Sequence, residues 1–471
     1  MKQNKIYSYL IVCLILLSGI LHVFLLNSFN TWLDEQYTLL TLQNTPTQIG
    51  RIILEQDAQP PFYYFSLYLW FSIFGSSILS GKLYSMLGLL SIGLLGLFPV
   101  KRLFGNKVAL LFTATALFLP YSFYIGGEIR MYTWATFFAT GILIYTFAVL
   151  KTHKRSDWFS LALFTILGMY THYYVILTAL AAFGILFFEQ LFSSLKEQRR
   201  VFWITTGLIA LAYLPGLFIL AIQFQRTQND FWITMHHTYQ SLRVFYTYFF
   251  QTSIINYFIT IPMIFCWLTL ISYTIYIFAT HQIKQNRFFL YVFLIFLTPL
   301  CIGFTASYLL RPLLIWKYLI PSMGAFSLLL ALTFATFKRP YWLLLLLLLS
   351  VESVFSFYIS YKKNHSTALF NTIEFIKKNV SPSQTIVATT LQNYFILELY
   401  LPDYSKLLIM HPDQTPFLKE RIHLLSAETT HLLKKEFFIF NFGQNCFDKR
   451  PIFYDTYFYP QLYCLYTYQI K

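Results

Sequence analysis

The chain has 471 residues, of which 57% are hydrophobic, 20% aromatic and only 11% charged. Soluble domains carry about 25% charged residues, so a soluble globular protein, a disordered chain and a nucleic-acid binder are excluded. The formal charge of +15, from 34 Lys and Arg against 19 Asp and Glu, reads instead as the orientation signal of a membrane protein. Five scattered cysteines make neither a disulfide scaffold nor a zinc site.

A helix needs roughly 20 apolar residues to cross a bilayer core of about 30 Å. Such runs fall at residues 6–26, 80–100, 107–125, 130–150, 158–190 (broken near His172), 201–221, 259–279, 287–308, 313–337 and 341–360. Lys2 and Lys5 precede the first run, but Leu25-Leu26-Asn27 is no small-residue cleavage site, so a retained helix is expected rather than a signal peptide. Basic residues cluster at Lys2 and Lys5, then Lys101, Arg102 and Lys107, then Lys151, Lys154 and Arg155. Further clusters are Lys196, Arg199 and Arg200, then Lys284 and Arg287, then Lys338 and Arg339. By the positive-inside rule these are cytoplasmic. About half of the basic residues lie in these stretches, and residues 27–79 hold only Arg51. Phe62–Phe74 is too short to cross, so it reads as a juxtamembrane or re-entrant helix on the outer side. The 158–190 run goes out and returns at Tyr170-Thr171-His172-Tyr173-Tyr174. The expected architecture is a polytopic α-helical membrane protein of about eleven spans plus outer juxtamembrane helices, with the N-terminus inside and the C-terminus outside.

Beyond Tyr361 the composition changes, with twelve basic and nine acidic residues in 362–471. Asn371–Asn379 reads as an amphipathic helix, and Thr385–Thr390 and Glu436–Phe440 read as buried strands. Two domains are expected: transmembrane residues 1–361, with the first outer loop 27–79, and a small extracytoplasmic α/β domain, 362–471. A Cys446–Cys464 disulfide suits an oxidising compartment, whereas Cys13, Cys266 and Cys301 read as core or lipid-facing residues.

Carboxylates are scarce before residue 361 and concentrate on the expected outer face: Asp34, Glu35, Glu55, Asp57, Glu128, Asp230 and Glu352. Loop acids are often simply solvated, but Asp34-Glu35 follow Trp32-Leu33 and precede an apolar stretch. Asp57-Ala58-Gln59-Pro60-Pro61-Phe62-Tyr63-Tyr64 predicts a helix started by the prolines, its N-terminus aimed back at Asp57 and Asp34. In Gly126-Gly127-Glu128-Ile129-Arg130-Met131-Tyr132, the acid and the base point to different sides of a helix, toward the acids and a phosphate respectively. A helix cap is the alternative. His172 stands at an outer turn. Arg311 and Lys317 bring cations to an outer helix end, where they either bind phosphate or snorkel to headgroups.

In this order, Trp32-Leu33-Asp34-Glu35, Asp57-x-Gln59-Pro60-Pro61-Phe62-Tyr63-Tyr64, Glu128-x-Arg130-Met131-Tyr132, Tyr170-Thr171-His172-Tyr173-Tyr174 and Lys317-Tyr318-Leu319-x-Pro321 resemble the GT-C membrane glycosyltransferases. Within them the chain resembles the bacterial dolichyl-phosphate-mannose-protein mannosyltransferase-like proteins, and more distantly the lipid A aminoarabinose transferases. The resemblance implies transfer of a sugar from a polyprenyl-phosphate donor to a lipid, glycan or protein acceptor at the outer face of the cytoplasmic membrane, usually with inversion. It implies Asp34 as general base and Glu128 as the second acid, which positions the acceptor or a divalent metal; Glu35 is counted with them in the catalytic set. The donor phosphate would be held by Arg130, Lys317, Tyr318 and Arg311, and the acceptor by Asp57, Gln59, His172 and Tyr63. A divalent metal ion on Glu128 and Asp57 is an optional cofactor. The family often carries His where Gln59 stands and Arg where Lys317 stands; Lys binds phosphate as a point charge, without the bidentate fork. A transporter or flippase of lipid-linked saccharides, another lipid-linked glycan polymerase or ligase, and a membrane scaffold are the competing readings. Transporters favour mid-membrane sites and repeated halves, and neither is visible.

Overall fold

The computed structural model describes residues 2–192, 196–227, 238–251, 256–310, 313–404, 407–409, 436–443, 453–456 and 462–469. In chain order the helices are α1 (Lys2–Leu25), α2 (Leu33–Thr41), α3 (Pro46–Glu55), α4 (Phe62–Phe74), α5 (Ile78–Leu95), α6 (Lys101–Phe104), α7 (Asn106–Phe118), α8 (Pro120–Ile125), α9 (Tyr132–Thr152) and α10 (Arg155–Thr171). They continue with α11 (Tyr174–Phe192), α12 (Arg199–Arg226), α13 (Thr238–Phe250), α14 (Tyr257–Ala279), α15 (Arg287–Leu309), α16 (Met323–Thr336), α17 (Arg339–Asn364), α18 (Ala368–Asn379) and α19 (Leu391–Tyr400). The strands are β1 (Ile386–Ala388), β2 (Leu407–Ile409), β3 (Glu436–Gly443), β4 (Phe453–Thr456) and β5 (Leu462–Gln469).

The chain forms two compact units. The first comprises Met1–Leu25, Gln59–Trp70 and Gly81–Ser360; the second comprises Leu26–Ala58, Phe71–Ser80 and Tyr361–Lys471. Among the described residues, nine helical segments are long and apolar enough to cross a membrane. Two of the eleven expected spans are shorter. Helix α7 has 13 residues and stops at Leu119, whose extended backbone precedes Pro120, the first residue of α8. The residue before a proline is pushed out of the α region, so the apolar run 107–125 cannot be one straight helix. Helix α10 has 17 residues, which at 1.5 Å per residue is about 25 Å.

In the helical unit, α9 and α16 are buried along most of their length, while α1, α12 and α14 turn many large apolar side chains outward. Close approach explains the tightest contacts: a Cβ on Gly324 of α16 would run into Thr140 of α9, and one on Gly141 into the Phe164 ring of α10. The basic loops gather at one end of this unit. Lys101 donates to Ser8 Oγ (2.5 Å), Arg102 pairs with Asp157 (2.7 Å), Lys107 donates to the carbonyls of Ala335 and Phe337 (2.8 and 2.9 Å), and Lys151 to that of Leu103 (2.7 Å).

The second unit has its own core. Leu40 of α2 packs with Leu369, Ile373 and Ile376 of α18, Phe395 and Leu397 of α19, Ile386 and Phe440, with Phe29, Leu33 and Tyr37 against it. Thr31 bonds the Tyr400 hydroxyl (2.8 Å), and Asn30 donates to the carbonyls of Asn364 and Ser366 (2.8 and 2.6 Å). Residues that follow the first span thus pack with residues more than 300 positions later. Among the described residues the strands form one mixed sheet in the order β2-β1-β3-β5-β4. Strand β1 is parallel to β2 and β3, and β5 is antiparallel to β3 and β4, with Val387 opposite Ile439 and Ile439 opposite Tyr466. Cys446 lies outside the described residues, as does any account of the Cys464 side chain, so the expected disulfide falls outside them too.

Candidate functional site

At the end of the helical unit opposite the basic loops, three irregular segments meet. The first is the turn between α8 and α9. Glu128 and Arg130 sit in this turn, not on the helix anticipated from their spacing, and the Arg130 N–H donates to the Glu128 carbonyl (2.7 Å). The second is the break at His172, whose extended backbone (φ −157°, ψ 133°) ends α10 before α11 begins at Tyr174. The third is a 3₁₀ segment, Trp316–Ser322, which leads into α16 and is held by a hydrogen bond from Tyr248 of α13 to Ser322 (2.6 Å). Lys317 therefore stands on a 3₁₀ turn rather than on the regular helix expected there.

These segments bring five of the expected residues together. Lys317 Nζ lies 2.6 Å from Glu128 Oε1, with side chains 18% and 9% exposed. The same ammonium is 5.8 Å from the ring centroids of Tyr132 and Trp316, a cation–π geometry. Arg130 is buried, and its Nη1 donates to the Tyr64 hydroxyl (3.3 Å). The His172 ring is boxed by Tyr318, Tyr132 and Tyr174 at centroid distances of 5.4, 5.8 and 5.9 Å. Burial, and secondly the Arg130 charge, push His172 down to about 3. Its Nδ1 accepts the Tyr174 N–H (3.2 Å). A neutral imidazole that accepts at Nδ1 must carry its proton on Nε2. Nε2 is buried and has no hydrogen-bond partner among the described residues. The cluster thus offers a guanidinium, an ammonium and an imidazole N–H, all donors suited to an anionic oxygen.

Of the other predicted residues, Gln59 and Tyr63 lie in this unit. The prolines precede α4, which begins at Phe62. The Gln59 carbonyl accepts from Gln223 Nε2 of α12 (3.1 Å), and Gln223 Oε1 accepts from the Tyr173 hydroxyl (2.5 Å). Tyr63 bonds Ser85 of α5 (3.2 Å), so its hydroxyl serves the α4–α5 contact, and its neighbour Tyr64 reaches Arg130. Sequence reasoning passed over Tyr64, Tyr174 and Gln223. Tyr64 and Tyr174 stand within two of the quoted motifs without a role of their own, and Gln223 lies just beyond the apolar run 201–221. Arg311 lies outside the described residues.

Asp34, Glu35 and Asp57 belong to the second unit. Asp34 and Glu35 occupy the first turn of α2, where carboxylates suit the helix dipole. Glu35 is buried and accepts the Trp32 N–H (3.0 Å), so it works as a helix cap. Asp34 is partly exposed. Asp57 is buried and accepts the Ala58 N–H (2.7 Å). Among the described residues no three His, Cys, Asp or Glu side chains come together to hold a metal ion, and Glu128 is engaged by Lys317.

The described residues make a largely helical, membrane-type unit with a cationic, tyrosine-lined cluster at one end, and a second unit that holds a mixed sheet. The comparisons agree with the resemblance read from the sequence. Residues 58–219 match the family model of dolichyl-phosphate-mannose-protein mannosyltransferases. The structure is similar to ArnT from Cupriavidus metallidurans in the apo state, with a TM-score of 0.62 at 12% identity, covering 91% of this chain and 92% of that one. The same protein bound to undecaprenyl phosphate matches with a TM-score of 0.63 at 11% identity and the same coverage. An oligosaccharyltransferase from Archaeoglobus fulgidus, tethered to an acceptor peptide, matches with a TM-score of 0.52 at 12% identity, covering 86% of this chain and 64% of that one. No curated protein matches the chain by sequence.

Proposed function

We propose that the chain is a glycosyltransferase that takes a sugar from a polyprenyl-phosphate donor and passes it to a hydroxyl of a lipid, glycan or protein acceptor. The observation that carries this reading is the convergence of Arg130, Lys317 and the Nε2–H of His172 at one end of an ArnT-like helical unit. The solved ArnT that shares the fold binds undecaprenyl phosphate. The protein would lie in the cytoplasmic membrane, with its basic loops inside and residues 362–471 as an extracytoplasmic domain.

The reaction needs a base and an anion site. As the acceptor oxygen attacks the anomeric carbon, the bond from that carbon to the phosphate oxygen breaks, and its electron pair leaves with the polyprenyl phosphate. Asp34 is the base that takes the acceptor proton. Arg130, Lys317 and His172 stabilise the charge growing on the phosphate, and Glu128 orients Lys317. Tyr318 lines the same cluster. A transporter is disfavoured because these groups sit at one end of the helices rather than at their midpoint.

The test compares lipid and glycan fractions by mass spectrometry from cells with the gene, without it, and with an Asp34→Asn version. A sugar adduct present only with the wild-type gene is expected. An unchanged adduct in the variant refutes the base assignment, and identical fractions with and without the gene refute the activity.

A further inference from the structure

The inward face of α17 changes character along its length. Leu345 and Leu349 are buried on its first half, and Glu352, Ser353, Ser356 and Ser360 on its second. Lipid-side positions remain apolar or aromatic, with Leu347, Val354 and Tyr358 exposed. Glu352, Ser356 and Ser360 recur every four residues, so they line one stripe about one turn apart. Glu352 is 0% exposed, and neither carboxylate oxygen has a hydrogen-bond partner among the described residues.

The serines sharpen the point. In apolar helices a serine hydroxyl ordinarily bonds back to the carbonyl four residues earlier. Ser350 and Ser353 do this, with bonds of 2.8 and 2.6 Å to Leu346 and Leu349. The hydroxyls of Ser356 and Ser360 are buried and have no such bond. A buried carboxylate in a membrane helix is costly, and it is retained where it faces a polar cavity or holds a counter-charge. No Lys, Arg or His pairs with Glu352 among the described residues. None of Glu352, Ser356 and Ser360 bonds a side chain of the Arg130–His172–Lys317 cluster.

We propose that Glu352, approached along Ser356 and Ser360, is a binding site for a small hydrated monovalent cation inside the helical unit. The buried carboxyl gives up its proton to water as the cation enters and then supplies the charge, and the two hydroxyls supply oxygen dipoles along the approach.

Cysteine labelling in lipid nanodiscs, where both membrane faces are open to reagent, tests this without an activity assay. Ser356→Cys and Ser360→Cys are made in a protein whose five native cysteines are replaced by alanine. Each is treated with a trimethylammonium methanethiosulfonate and with its sulfonate counterpart, and folding is checked by gel filtration. Both cysteines are expected to react, the cationic reagent roughly tenfold faster at position 356. Adding Glu352→Gln should bring the two rates within about twofold. Lipid-facing Val354→Cys and Tyr358→Cys should stay unlabelled. Failure of both serine positions to react, labelling indifferent to reagent charge, or a bias that survives Glu352→Gln each overturn the site.

Discussion

Lowering the pH from 7 to 5 is expected to destabilise the wild-type protein by about 2 kcal/mol more than a His172→Gln variant. The magnitude follows from the place of His172 among Tyr132, Tyr174 and Tyr318. Burial first, and the Arg130 charge second, push its pKa down to about 3. An unfolded histidine takes up its proton near 6.5. Between about 6.5 and 3 the unfolded chain therefore binds a proton that the folded chain refuses. Stability must fall as pH drops through that window, level off below it, and be nearly constant above it. At about 1.4 kcal/mol per pH unit, the step from 6.5 to 5 accounts for the figure. Thermal unfolding of detergent-purified protein at the two pH values, with the variant subtracted, isolates this residue from other titrating groups. Arg130→Gln should narrow the gap, because the guanidinium is the second cause of the shift. Equal pH sensitivity of wild type and His172→Gln would refute the argument that a neutral His172 presents Nε2–H to the site.

Further outcomes can be checked on the same preparations. Lys317→Met leaves Glu128 largely buried without its partner and should cost about 3 kcal/mol, as breaking a buried pair does. Adding Glu128→Gln should restore part of that loss, and a double-mutant cycle should give a coupling of about 1–3 kcal/mol. Additive losses would mean that the 2.6 Å contact is energetically idle. Gly324→Ala places a methyl against branched Thr140, whose hydroxyl is already bonded to the Thr136 carbonyl (2.6 Å). Overpacking of this kind costs about 1–3 kcal/mol, and Thr140→Ala in the same chain should recover most of it; a melting temperature unmoved by Gly324→Ala would contradict the close α9–α16 approach. Asp34→Asn should leave the melting temperature within a degree or two of wild type while sugar transfer is lost, which separates a chemical role from a structural one.

Much of the helical unit was legible in the sequence, because membrane insertion is decided by local composition. A run of some 20 apolar residues reads as a span wherever it later packs. The two prolines before Phe62 likewise mark the start of α4 by their own backbone geometry. Pro120 shows the same logic missed: it lies within a long apolar run and was counted inside a span, yet it forces Leu119 out of the helix. Nothing in the local sequence showed that Glu35 accepts the Trp32 N–H at the start of α2.

By itself, the sequence determined that this is a many-spanning membrane chain, which ends of its helices are basic, and which few polar residues interrupt its apolar runs. Tertiary structure alone decided which of those residues meet. Lys317 finds Glu128 across 189 positions, and Thr31 finds Tyr400 across 369. The hydroxyl that reaches Arg130 is that of Tyr64, not Tyr63. The physical reason is that hydropathy is a local, additive property of a segment, whereas a partner is chosen by how whole helices pack. A rotation of one residue, about 100° on a helix, exchanges one tyrosine for the next without changing the composition at all.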